Sequence, residues 1–263
     1  MQFPLTMYMC NKIIDKKTFM YSENWKKMNP GLKIHLFNNK MCERFLLTEF
    51  SPLHRDIFVF IRHGPIKADF WRVCILYKYG GIYSDVDIEP LVPLNQFIEP
   101  SVDFVTCSSF SERFKFNPNL ILCNKENIIL KKCIDWYIEK YTNKHPYGYW
   151  EWSIMNAFSC IINIDNFKRT EGIYNYNDMK LQIIQEVNGT VHNEDHNVYK
   201  NKRVFNNRYK DWDHNIHGFV GSIKVNKNSL SSMPQMSNNY ITALHRIPIL
   251  NVSKVNKHYM KLK

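Results

Sequence analysis

The chain has 263 residues, 44% of them hydrophobic and 14% aromatic, which is enough apolar surface for one large folded domain and argues against a disordered polypeptide. The formal charge of +11 is unevenly spread: no Asp or Glu follows Asp213, whereas Lys224, Lys227, Arg246, Lys254, Lys257, Lys261 and Lys263 do. Seven widely spaced cysteines with no C-x-x-C pair speak against a disulfide framework or a zinc ribbon and fit reduced, mostly buried thiols.

In chain order, "FPLTMYMC" (Phe3 to Cys10) predicts a first buried strand, and "IIDKKTFMYSENWKKM" a helix ending near Asn29-Pro30-Gly31. "LKIHLFN" predicts a second strand, and Met41 to Phe50 a second helix. This alternation is the mark of an α/β layer fold with parallel pairing. "GPIKADFWRVCILYKYGG" is the clearest helix, with Pro65 suited to its first turn and Gly80 to its stop. The residues after it, "IYSDVDI", switch to period two and predict a strand. Further on come a strand over "VDFVTCS", another over "NLILCN", an amphipathic helix over "NIILKKCIDWYIEKYT" and an aromatic helix over "YWEWSIMNAFSCII". Gly172 to Asn207 has little pattern.

The acidic stretch poses a physical problem. On a strand, Asp85 and Asp87 share one face, with Glu89 beside them if the strand runs on to Pro90. Same-face carboxylates repel, and Asp is a poor strand former. A hard divalent cation, Mg²⁺ or Mn²⁺, would offset that repulsion by taking carboxylate oxygens together with those of a bound diphosphate. Such an ion stabilises the charge that builds on a departing nucleotide diphosphate. A bare D-x-D is weak evidence, since Asp211-Trp212-Asp213 is a second one without context. Context strengthens the first: Asp69 and Arg72 stand one turn apart on the preceding helix, which leads through Gly80-Gly81 into the acidic stretch. The plainer alternative for that pair is a helical i, i+3 ion pair.

"IKADFWRVCILYKYGGIYSDVDIEPL" resembles the D-x-D region of glycosyltransferase family 32, and "NPGLKIHLFNNKMCERFL" and "NPNLILCNKEN" are similar to its flanks. The resemblance implies a GT-A-like fold, a Rossmann-related mixed sheet flanked by helices. It implies a metal-dependent retaining transferase that moves a sugar from a UDP- or GDP-linked donor to a glycan hydroxyl. Asp69 and Arg72 would then face the donor sugar and phosphates. Asp85 would touch ribose and sugar beside Tyr83, with or without the metal, and Asp87 would be the direct ligand of Mn²⁺ or Mg²⁺. "IHGFVGSI" offers His217 as a further metal or diphosphate ligand and Ser222 as a donor contact, although Ile223 stands where the family carries Trp. Tyr8, at the end of the first strand, falls near the place of the family's base-stacking aromatic.

The expected organisation is a catalytic domain over residues 1–225, its donor part about 1–107 and its acceptor part about 108–225, followed by a basic tail over 226–263. That tail could rest on an anionic membrane, with nucleic acid the less favoured partner. No amino-terminal apolar run or span-length apolar segment is seen, so a cytoplasmic, peripherally membrane-associated protein is expected. Two rival readings are a catalytically silent nucleotide-sugar or glycan-binding relative and a basic polyanion-binding module. His192 and His196 have the spacing of a zinc pair but a loop-like context and no third ligand. Tyr147, Tyr149, Trp150 and Trp152 offer either a stacking platform for an acceptor sugar or core packing.

Overall fold

The computed structural model describes residues 2–189 and 195–210. His217, Ser222, His192, the Asp211-Trp212-Asp213 motif, the boundary at residue 225 and the basic tail lie outside the described residues.

The predicted strand-helix opening is present as β1 (Thr6–Cys10), α1 (Lys16–Met28), β2 (Lys33–Phe37) and α2 (Asn39–Glu49). Side-chain caps start both helices: Asp15 accepts from the Thr18 amide at 2.8 Å, and Asn38 from the Met41 amide at 3.0 Å. An unpredicted helix α3 (Pro52–Phe60) follows, with Pro52 in its first turn. Then come α4 (Gly64–Tyr79), β3 (Gly81–Ser84) and the two-residue β4 (Glu89–Pro90). The second half contains β5 (Phe104–Cys107), β6 (Leu120–Cys123), α5 (Ile128–Thr142) and α6 (Ile154–Ile161). It closes with β7 (Gly172–Tyr176), β8 (Met179–Val187), β9 (His196–Tyr199) and β10 (Lys202–Asn206).

Two departures from the sequence reading have plain causes. The aromatic helix predicted from Tyr149 starts only at Ile154, because the Ser153 side chain caps it by accepting from Asn156 N at 3.3 Å. The patternless stretch after Gly172 is four strands. Residues Leu181 to Ile184 of β8 are all buried, so no alternation shows in the sequence. The β7–β8 and β9–β10 links are tight turns, with Asn177 at φ 51° and with Lys200 and Asn201 at φ 50° and 58°.

The sheet runs β2-β1-β3-β6-β5-β8-β9-β10-β4, with β7 paired to β8 off this path. β1 pairs in parallel with β2 and β3, β5 in parallel with β8, and the remaining pairs are antiparallel. This is the mixed α/β architecture expected. Strand alternation divides the core into two layers. Tyr8, Tyr83, Ile121 and Cys123 face a cluster built by α2 to α6. Met7, Met9, Ile82, Leu120 and Leu122 face the cluster that includes Tyr21 and Trp25 of α1. Because α1 and the α2–α4 segment lie on opposite faces while β2 and β3 flank β1, the chain leaves β1 in opposite directions. Open α/β sheets bind ligands beyond the carboxyl ends of strands at such a point. The acidic motif follows β3 there.

Candidate active site

The site is assembled by α4 and the corner after it. Ile66 and every residue from Asp69 to Leu76 of α4 are buried, so the polar pair Asp69 and Arg72 is enclosed with the apolar ones. Gly80 ends the helix at φ +64°, its amide donating to Leu76 O at 2.7 Å. A Cβ on Gly80 would come within 2.5 Å of Lys125 N, and one on Gly81, at φ +101°, within 2.5 Å of Thr6 O. Only glycine turns this corner, which delivers β3 beside β1 and carries Asp85 back over Arg72.

Arg72 is the centre. Its Nη2 lies 2.8 Å from Asp69 Oδ1 and 3.2 Å from Asp85 Oδ1, and its Nη1 donates to Pro118 O at 2.7 Å. The guanidinium also sits 4.2 Å from the centroid of the Tyr83 ring, and the Tyr83 hydroxyl donates to Asp85 Oδ1 at 2.7 Å. Asp69 Oδ2 accepts from Ile154 N at 3.1 Å, so the first turn of α6 helps hold it. The pair is therefore more than a helix-surface ion pair: it is buried and shared with Asp85. Burial alone would lower the Arg72 pKa, but Asp85, Tyr83 and Asp69 reverse this and raise it. Burial pushes the Asp69 carboxyl up to about 6 against the pull of Arg72 and the Ile154 amide.

The acidic motif is not a strand. β3 stops at Ser84, and Asp85 to Ile88 form a turn in which Ile88 N donates to Asp85 O at 3.4 Å. Two carboxylates forced onto one strand face would repel, whereas a turn suits Asp and lets Val86 and Ile88 point into the core. Backbone bonds from Asp85 N to Asn119 O and from Tyr209 N to Asp87 O, both 2.9 Å, anchor the turn on either side. Glu89 leaves the group, accepting instead from Asn206 Nδ2 at 2.6 Å. Asp87 is half-buried, and burial followed by the charge of Asp85 pushes its carboxyl up to about 7.

The donor set fits a hard divalent cation. Asp85 and Asp87 offer carboxylate oxygens from one short turn after β3, the ligand type such an ion takes. Among the described residues no group of three or more His, Cys, Asp or Glu side chains converges as a metal cage. His217, the third ligand expected from the sequence, lies outside the described residues.

Tyr83 joins the cluster through Asp85 and Arg72. Tyr8 does not: its ring stacks on His35 at 5.7 Å and Tyr79 at 6.3 Å, at the Gly81 end of β3 rather than at Asp85. Cys10, two residues on, is the β1 side chain that reaches the cluster, its Sγ 4.0 Å from the Tyr83 hydroxyl. Of the four aromatic residues from 147 to 152, Trp152 is fully buried and belongs to the core. Tyr149 lies close enough to Asp69 and Asp85 that, after burial, both carboxylates raise its phenol.

Beyond Asp87 opens a cleft of about 500 Å³ whose lining includes Asn117, Glu186, Asn207, Phe114 and Trp150. Glu186, on β8, is buried with both oxygens engaged: Oε1 accepts from Asn117 Nδ2 at 2.5 Å and Asn207 Nδ2 at 2.7 Å, and Oε2 from Phe110 N at 3.2 Å. No sequence signal marks Glu186, because its partners come from segments 69 and 21 residues away.

Residues 15–103 match the family described as "Glycosyltransferase sugar-binding region containing DXD motif". An "Initiation-specific alpha-1,6-mannosyltransferase" of Candida albicans is 32% identical over 108 residues, covering 38% of this chain and 28% of that protein. An uncharacterized glycosyltransferase of Acanthamoeba polyphaga mimivirus is 35% identical over 78 residues, 30% of this chain and 31% of that one. The chain thus spans less than a third of the length of these curated relatives. Among solved structures, the PaToxG glycosyltransferase superposes with a TM-score of 0.46 at 17% identity, over 61% of this chain and 69% of that one.

Proposed function

With a DXD-containing glycosyltransferase sugar-binding region in residues 15–103 as the premise, we propose that this chain moves a sugar from a nucleotide diphosphate sugar to a glycan hydroxyl. The observation that carries the reading is the buried Asp69–Arg72–Asp85 cluster, clamped by Tyr83 and set beside Asp87. Within a GT-A-like fold, Asp69 accepts hydrogen bonds from donor-sugar hydroxyls, and Arg72 supplies fixed positive charge toward the sugar and phosphates. Asp85, held by the Tyr83 hydroxyl and Arg72, has its other oxygen left for ribose, sugar or metal. Asp85 and Asp87 would hold Mn²⁺ or Mg²⁺, which supplies charge stabilisation to the departing diphosphate. Tyr8, stacked on His35 and Tyr79, is apart from this cluster and stays a candidate toward the nucleotide base. His217 and Ser222 stay as candidates toward the diphosphate.

We propose retention of the anomeric configuration by a same-face transfer. The bond from the anomeric carbon to the phosphate oxygen breaks, the acceptor oxygen bonds to that carbon from the same side, and the acceptor proton passes to the departing phosphate. Besides Asp195, whose Oδ1 accepts from Gly189 N at 2.7 Å, the cleft beyond Asp87 is lined by the carboxylate of Glu186, whose oxygens are committed to Asn117, Asn207 and the Phe110 amide. It is therefore held as an acceptor rather than free to attack. Mannose is the first sugar to try, because a relative named as an alpha-1,6-mannosyltransferase shares the matched region.

The test is release of nucleoside diphosphate from a panel of UDP- and GDP-sugars with Mn²⁺, with and without glycan acceptor. Turnover with at least one donor is expected. Asp87→Asn should lower it a hundredfold or more, on the order of 3 kcal/mol in transition-state stabilisation, while the fold is kept. Silence with every donor, or undiminished turnover in that variant, ends the assignment; silence with tight nucleotide binding favours a binding-only relative.

A further inference from the structure

The cleft beyond Asp87 has two unlike sides. One is aromatic: Trp150 and Phe114 stand with ring centroids 5.5 Å apart, and the Arg113 guanidinium lies 5.6 and 5.2 Å from their centroids. Trp150 is 41% exposed, whereas Trp152 two residues later is fully buried, so the loop before α6 turns one indole out to the cleft and one into the core. The other side is polar, formed by the buried Glu186 with Asn117 and Asn207 around it. A flat apolar face opposite hydroxyl-pairing amides and a carboxylate matches the chemistry of a pyranose, whose ring presents C–H groups on its faces and hydroxyls on its edge. A volume of about 500 Å³ suits one or two such rings.

Position adds to chemistry. Tyr149 and Trp150 are adjacent, their ring centroids 4.8 Å apart and nearly perpendicular. Tyr149 packs edge-on against His63 at 5.3 Å between centroids, while Trp150 lines the cleft together with Asp87, so the loop before α6 brings an exposed indole to the same cleft as the acidic turn. Resting on the transferase reading above, we propose that this cleft is the acceptor subsite. A pyranose of the acceptor glycan stacks on Trp150 with Phe114 beside it, and its ring hydroxyls pair with the carboxamide groups of Asn117 and Asn207, each of which gives one N–H to Glu186 and keeps its other N–H and a lone pair on its oxygen. Glu186 is the tie that holds the Asn117 and Asn207 segments in place for this.

The experiment is a ¹⁵N-indole titration of the full chain, with the Trp150 resonance assigned by its loss in Trp150→Phe. The probes are the methyl glycosides of mannose, glucose and galactose. At least one should move the Trp150 signal saturably. Trp150→Ala, at a site exposed enough to change without opening the core, should weaken binding of that glycoside tenfold or more by ligand-observed NMR. The proposal is overturned if no glycoside moves the Trp150 signal, or if Trp150→Ala leaves affinity within twofold. UDP and GDP with Mg²⁺, followed by thermal shift in parallel, report on the donor reading alone. Nucleotide binding without a Trp150 response removes the acceptor subsite only; a Trp150 response without nucleotide binding keeps the subsite and removes the donor reading.

Discussion

At the scale of single residues, Arg72 shows why guanidinium and ammonium are not equivalent. It serves Asp69, Asp85 and Pro118 O from two nitrogens while its plane covers Tyr83. Lysine offers one compact charge and cannot span these partners. Arg72→Lys is expected to cost about 1–3 kcal/mol in denaturant unfolding, through buried acceptors left unpaired, and to slow donor turnover at least tenfold. Asp69 carries a pH signature. Its carboxyl is raised to about 6 in the fold, above its unfolded value, so the folded chain binds more protons between the two. The Asp69 contribution to stability is therefore full below about pH 4 and lost as pH rises to about 6, with no further change above. Unfolding midpoints measured across that window should fall with pH for the native chain, with a smaller fall in Asp69→Asn. The grouping of Asp69, Arg72 and Asp85 is legible as a motif because all lie within one helix-corner-turn segment that also carries Asp87. Glu186 was not legible, since a carboxylate's meaning there depends on amides brought in from distant strands.

At the scale of elements, the Gly80-Gly81 corner does the most with the least. Both residues hold positive φ, and both run their backbone against neighbours too closely for any side chain. Gly81→Ala is expected to destabilise by about 2–4 kcal/mol, read as a shifted denaturant midpoint with unchanged slope, because backbone atoms at Thr6 cannot yield as a flexible side chain would. The corner was readable from the dipeptide, and the helix before it from its period. What followed was misread: alternation of Ile82, Ser84, Val86 and Ile88 with Tyr83, Asp85 and Asp87 looks like one strand, yet the ladder stops at Ser84 and the rest is a turn. Periodicity reports which residues are buried, not whether the backbone between them still pairs. Conversely α3 is not read from the sequence, and neither is β8, whose residues Leu181 to Ile184 are all buried and show no alternation.

At the scale of the whole molecule, the order β2-β1-β3 puts a ligand crevice at the carboxyl ends of β1 and β3, and the antiparallel β6 and parallel β5–β8 pair extend the floor to Glu186. The α/β layering with parallel pairing follows from the alternating opening, whereas the strand order, the β5–β8 pair and the pairing of β8, β9, β10 and β4 rest on long-range contacts no local pattern encodes. A binder that recognises the folded state raises its apparent stability by about 2.7 kcal/mol at a hundredfold excess over Kd. UDP or GDP with Mn²⁺ is therefore expected to raise the melting temperature by several degrees, with Mn²⁺ alone doing less and EDTA abolishing the gain. No shift with either nucleotide would count against a nucleotide-dependent site.

The contact between Asp69 Oδ2 and the Ile154 amide links α4 to the helix that follows Trp150 by four residues. A residue at position 69 unable to accept from that amide would strand a buried donor at the start of α6, so one carboxylate oxygen fastens together two helices whose joined residues stand 85 positions apart in the chain.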